Sequence, residues 1–223
     1  MPGYQVKQEA HRLGDSDFEI RSLLDRQQFS DPEGLALALG ISSASWPLFG
    51  MIWPSARMLA NAMQTQDLVG KRILEVGCGL GLASLVIHRR LGDITASDCH
   101  PLTEAFLLAN AQLNALPPLK YQTGHWARAN PGLGQFDLII ASDVLYERDQ
   151  PDILAQFIDL HAAPGADIIV LDPDRGNRNR FCARMQALGY AVHMERAGLT
   201  QNTGEAYKGH FLNFKKTTAA LDA

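Results

Sequence analysis

The sequence predicts an α/β protein: a seven-stranded, mostly parallel sheet covered by helices on both faces, its last two strands forming an antiparallel hairpin. Three observations carry this. From residue 72 onward, short apolar runs alternate with helical stretches. A glycine-rich turn stands where the first run should pass into its helix. The last two runs have no helical stretch between them, so they are expected to pair directly.

Taken in order, FEIRSLLDR (18–26) reads as a short helix, and residues 33–39 as another ended by Gly40. WPLFGMIWP (46–54) is aromatic and punctuated by proline, which suggests a packed loop. Pro54 then opens a helix to about Gln64. The expected strands are RILEV (72–76), ITASD (94–98), LKYQTG (119–124), FDLIIASD (136–143), ADIIVLD (166–172), YAVHMER (190–196) and AYKGHFLNFK (206–215). Helices are expected after the glycine turn, from Pro101 to about Leu113, over 152–162 and over 177–189. The domain organisation expected is an N-terminal helical extension or cover of the substrate site (1–45), one catalytic domain (46–216) and a tail (217–223).

Composition narrows the function classes. The chain has 223 residues and a formal net charge of -4, which is not the footprint of a strongly basic nucleic-acid binder. Cys78, Cys99 and Cys182 are odd in number and widely spaced, giving neither a disulfide framework nor a zinc-site spacing. They read as reduced thiols in a cytoplasmic protein. The N-terminal residues lack the apolar core of a signal peptide, and no apolar run reaches the ~18 residues of a membrane span.

The most specific local feature is Glu75-Val76-Gly77-Cys78-Gly79-Leu80-Gly81. Glycines there permit a tight turn and a ligand's close approach to the backbone. Asp98 closes the next strand ~20 residues on, where a carboxylate can accept both hydroxyl protons of a ribose. The spacing is G-x-G-x-G with an acid before it, not the G-x-G-x-x-G of a dinucleotide site. Glu75 suits a cationic amino group better than a pyrophosphate. No G-x-x-x-x-G-K-[ST] run is present, which rejects a P-loop.

These residues resemble the motif of class I methyltransferases that use S-adenosyl-L-methionine. Trp53-Pro54-Ser55, Gly124-His125-Trp126 and Asp143-Val144-Leu145-Tyr146 extend the resemblance, over about residues 46–214, to the seven-strand protein-lysine methyltransferase-like family, methyltransferase family 16. It implies a Rossmann-like sheet and S-adenosyl-L-methionine as cofactor. Glu75, Gly77, Cys78, Gly79 and Gly81 would surround the methionine portion, Asp98 the ribose, and Trp126 the adenine. Trp53 would help close the cofactor or substrate side. Asp143 and Tyr146 would border the methyl-transfer centre, Asp143 touching cofactor as well as substrate.

Each residue also has a plainer reading. Trp126 and Trp53 can be packing aromatics, and Tyr146 can pack the helix that follows it. His125 reads as a loop residue rather than a base. Asp137 lies ~20 Å from Asp143 along its strand and reads as structural. Glu75, Asp98, Trp126 and Asp143 nevertheless all follow strands and so meet at one sheet edge, which favours the functional reading of Asp143-x-x-Tyr146. LDPDRGNRNR (171–180) brings Asp172, Asp174, Arg175, Arg178 and Arg180 near that edge. It is read either as the cap of the next helix or as a substrate-facing loop; a metal site is rejected.

The function expected is methyl transfer to a protein side chain, a lysine amine first. The alternatives are a small-molecule or nucleic-acid methyltransferase, weakened by the absence of Asn-Pro-Pro-Tyr, and a noncatalytic cofactor-binding assembly factor. The partner expected is a substrate protein, with no constitutive nucleic acid and no membrane; oligomeric state is left open.

Overall fold

A computed structural model describes residues 3–26, 31–128, 130–198 and 206–217. A seven-stranded sheet forms the centre, in the order β5-β4-β3-β6-β7-β9-β8. Its strands are β3 (Arg72–Val76), β4 (Asp93–Asp98), β5 (Lys120–Thr123), β6 (Phe136–Ser142), β7 (Ala162–Asp172), β8 (Tyr190–Arg196) and β9 (His210–Lys216). Strands β5, β4, β3, β6 and β7 are parallel, and β8 and β9 form the expected antiparallel hairpin; β9 also runs antiparallel to β7. The sheet winds outward from β3 in both directions, so the strand order reverses at β3. A crevice opens at such a reversal, beyond the carboxyl ends of the strands.

Successive side chains of a strand point to opposite faces, and the central strands feed two cores accordingly. Ile73, Leu138 and Ile140 enter one core with α2 (Pro54–Ala62), α3 (Leu82–Arg89) and α4 (Thr103–Leu113). Leu74, Val76, Ile139 and Ala141 enter the other with α5 (Gln150–His161) and α6 (Arg178–Ala187). Burial on both faces explains why these strands read as continuous apolar runs. Asp137 accepts a bond from the backbone N–H of Arg72 (2.8 Å) and so ties the starts of β6 and β3.

The N-terminal segment departs from the expected helices. FEIRSLLDR lies mostly in β2 (Ser16–Leu23), which pairs antiparallel with β1 (Val6–Leu13); among the described residues before 40, only a single turn, α1 (Leu35–Ala38), is helical. The reason is periodicity: Phe18, Ile20 and Ser22 are buried alternately, a spacing of two that nine residues of sequence did not distinguish from helix. The free edge of β2 is stapled to α4. Asn114 exchanges two bonds with the Glu19 backbone (3.0 and 2.7 Å), and Asn110 exchanges two with the Arg21 backbone (2.7 and 3.3 Å). Four helical residues rise ~6 Å and two strand residues ~6.8 Å, so the two asparagines match a strand edge.

WPLFG is also not a loop: Trp46–Gly50 forms a 3-10 helix. Its Trp46 and Phe49 share a core with Phe18 and Phe106, which seats the hairpin and this helix together beside β4. Among the described residues, no helix is long and apolar enough to cross a membrane.

Candidate active site

The turn after β3 is shaped by its neighbours. Gly77 has φ 64°, and a Cβ there would stand 2.8 Å from Val144 Cγ1 and 3.4 Å from Trp126 Cζ2. Gly79 has φ 51°, and its Cβ would stand 2.9 Å from the Phe49 carbonyl oxygen. Both positions combine a left-handed backbone with a wall, so only glycine fits. Cys78 between them is buried, and its N–H donates to Ser97 O (3.1 Å), locking the turn to β4. Gly81 then caps α3.

Asp98 ends β4 against this turn. Its Oδ2 accepts from Gly79 N–H (3.0 Å) and its Oδ1 from His100 N–H (2.9 Å). Burial raises its carboxyl above the usual range, while these backbone bonds oppose the rise. His100 stacks on Phe49 with ring centroids 3.8 Å apart, and burial lowers it to about 4, so the ring is neutral. Its Nδ1 accepts from Leu102 N–H, and its buried Nε2 has no partner among the described residues.

On the other side of β3 the loop after β6 carries Asp143 and Tyr146. Asp143 adopts φ 54°, unusual for a residue with a Cβ, and its N–H donates to Leu171 O (2.9 Å) at the end of β7. Its carboxylate sits in the fork of Arg175, with Nε donating to Oδ1 (2.8 Å) and Nη2 to Oδ2 (3.0 Å). Asn177 Nδ2 reaches the same loop and donates to the carbonyls of Leu145 (3.0 Å) and Glu147 (2.8 Å), on either side of Tyr146. Tyr146 is 43% exposed; burial of the hydroxyl end and the nearness of Asp98 and Cys99 push its phenol up to about 12. It therefore stays a neutral hydroxyl.

Arg175 belongs to the 172–177 loop after β7. Its N–H donates to Asp172 Oδ1 (2.8 Å), while Asp172 Oδ2 is buried without a partner among the described residues. Burial raises Asp172 to about 6. Ser55 Oγ and the Tyr207 hydroxyl share a buried hydrogen bond (2.7 Å) nearby, and the charges of Asp143, Asp172 and Asp174 all act on Tyr207.

Comparison with known proteins places this arrangement in a family. Residues 44–187 match the sequence profile described as lysine methyltransferase. The chain belongs to the lysine methyltransferase family. The electron transfer flavoprotein beta subunit lysine methyltransferase of Rattus norvegicus is 29% identical over 133 residues, 58% of this chain and 51% of that protein. The protein of the same name from Xenopus laevis is 26% identical over 169 residues, 70% of this chain and 68% of that one. The chain thus spans from about half to two thirds of the length of these curated relatives. Among solved structures, the T. thermophilus 16S rRNA methyltransferase in complex with AdoMet and guanosine superposes with TM-score 0.63 at 16% identity, covering 97% of this chain and 52% of that one. That likeness concerns the fold.

The family is one of methyltransferases, and the residues present fit S-adenosylmethionine. The glycine turn is a cradle that a Cβ would fill. Asp98 keeps lone pairs beyond its two backbone bonds, as a partner of ribose hydroxyls must.

Three expected site residues have protein partners that the sequence did not disclose. Glu75 is buried on the α3 face, its Oε2 accepting the Ser84 N–H (2.8 Å) and hydroxyl, so it braces α3 rather than standing free for an amino group. Trp53 donates its Nε1 to Leu48 O (2.8 Å) and so anchors the 3-10 helix over Gly79. Asp143 is no free carboxylate, since Arg175 occupies both of its oxygens. Sequence reasoning did not single out His100 or Tyr207, and it gave Phe49 and Ser55 no individual role. Only the LDPDRGN run signalled Arg175 and Asn177 in advance.

Proposed function

We propose that this chain transfers a methyl group from S-adenosylmethionine to a protein side chain, a lysine amine first. The observation that carries the reading is the meeting of the glycine turn, Asp98, Asp143 and Tyr146 at the carboxyl edge of β3, β4 and β6 in a lysine methyltransferase family member. When bound, the cofactor supplies an activated methyl: the acceptor nitrogen's lone pair forms the N–C bond as the C–S pair returns to sulfur, leaving S-adenosylhomocysteine and a methylated ammonium that loses a proton to water.

The residues have positioning work rather than proton chemistry. Gly77, Cys78, Gly79 and Gly81 hold the methionine portion along their backbone, and Asp98 accepts from the ribose. Trp126, beside Gly77, flanks the bound adenosine, and Trp53 closes the site through the 3-10 helix. The neutral hydroxyl oxygen of Tyr146 accepts an N–H of the acceptor amine, leaving the nitrogen lone pair free to react, and Asp143 borders it. The free thiols Cys78, Cys99 and Cys182 suit a reducing compartment, the cytoplasm. The relatives' names, which specify a lysine acceptor on a protein, support the substrate class.

The test is transfer of radiolabelled methyl into a lysate lacking this protein. Label removed by protease and recovered as methyllysine after hydrolysis is the expected result. Label that resists protease but yields to nuclease, or that stays in small molecules, would overturn the substrate class.

A further inference from the structure

The 172–177 loop forms one unit with the 143–147 loop. Arg175 grips Asp143 from outside the motif, and Asn177 grips the carbonyls flanking Tyr146. Asp143 is 11% exposed in its side chain and Arg175 41%, so the pair lies at the edge of the site with the cation outward. An acceptor amine reacts only when neutral, since an ammonium has no free lone pair. A lone carboxylate beside it would favour the ammonium. A carboxylate inside a guanidinium fork presents almost no net charge.

We propose that Arg175 is a positioning residue that cancels the charge of Asp143, so that the acceptor nitrogen is received as a neutral amine. This rests on the protein-methylation reading of the same site. The other charged or titratable groups facing the pair are Asp172 at the end of β7, Asp174 in the loop, Arg178 on α6 and Tyr207 before β9. Asp174 is held by Arg178 and by His210 Nδ1 (2.7 Å), so its charge is also answered locally. Arg175 is thus the one of these groups that bonds directly to Asp143 among the described residues.

The experiment measures single-turnover methylation against pH, using the acceptor protein that lysate labelling identifies. Four proteins are compared: wild type, Arg175→Gln, Asp143→Asn and the double variant. Unpairing the carboxylate in R175Q should move the pH midpoint of the rate upward by about one unit, and unpairing the guanidinium in D143N should move it downward by a similar amount. The double variant, neutral again, should return to the wild-type midpoint even where its rate is lower. Arg175→Lys keeps the charge without the fork and should keep the midpoint while losing rate; it serves if R175Q fails to fold. Coincident midpoints in wild type, R175Q and D143N would overturn the inference while leaving protein methylation intact. Absence of any labelled protein with wild type would instead defeat the underlying reading.

Discussion

The two sides of β3 are built by different means. On the β4 side, the cofactor cradle is made of backbone: Gly79 N–H on Asp98, Cys78 N–H on Ser97 O, and a Phe49 carbonyl where a Gly79 side chain would stand. On the β6 side, the edge proposed to receive the acceptor is made of side chains reaching between distant segments. Asp143 meets Arg175 across 32 residues, and Ser55 meets Tyr207 across 152. A backbone cradle tolerates little change, because every glycine is fixed by conformation and by contact. A side-chain edge can be retuned by one substitution.

Perturbations of the two sides should differ in size and in kind. The largest effect belongs to the cradle. Gly79→Val adds a branched side chain at φ 51° against the Phe49 carbonyl. It should weaken S-adenosylmethionine binding more than ~100-fold by calorimetry, with the protein still folded by circular dichroism. Asp98→Ala comes next: loss of a charge-assisted acceptor of ~1.5–3 kcal/mol should weaken binding about 10- to 150-fold. Near-normal affinity in either variant would break the contrast.

Glu75 sharpens it through pH. Burial raises its carboxyl to about 7 from an ordinary value near 4.5. Between those values the folded chain holds a proton that the unfolded chain has released. Its contribution is therefore complete below about pH 4.5 and is lost as pH rises through 7. Glu75→Gln cannot ionise and can still accept from Ser84, so urea unfolding at pH 8 should find it up to about 2–3 kcal/mol less penalised than wild type. Equal slopes of stability against pH in both proteins would contradict the buried placement. The smallest effect is at the acceptor edge: Tyr146→Phe should lower the transfer rate about 10-fold by misaligning the acceptor, with cofactor affinity unchanged.

The same contrast explains what the sequence disclosed. The cradle follows from local chain: G-x-G-x-G fixes a turn, and Asp98 ends the next strand, so their meeting needs only the order of elements. RILEV and FDLIIASD were legible because strands buried on both faces are short uninterrupted apolar runs. FEIRSLLDR was misread because its buried positions 18, 20 and 22 are followed by buried Leu23, which blurs the alternation. What makes it a strand is tertiary: β1 beside it and, on its other edge, Asn110 of α4 and Asn114 just past the end of that helix. The Arg175–Asp143 fork, the Asn177 bonds and the Ser55–Tyr207 pair have no local signature, because nothing in one segment specifies its partner in another. LDPDRGNRNR stood out as polar, yet its role is set by where β7 delivers it.

The division between the two sides is tested most directly by titrating S-adenosylmethionine into wild type, Asp98→Ala and Arg175→Gln in one calorimetric series, then measuring methyl transfer by each to the lysate-identified acceptor. Asp98→Ala should lose cofactor affinity and, at limiting cofactor, transfer with it. Arg175→Gln should bind cofactor within about threefold of wild type while its transfer at pH 7 falls about 10-fold, the loss expected when one unit of charge is left unanswered beside the amine. A large loss of cofactor affinity in Arg175→Gln, or wild-type affinity in Asp98→Ala, would contradict it.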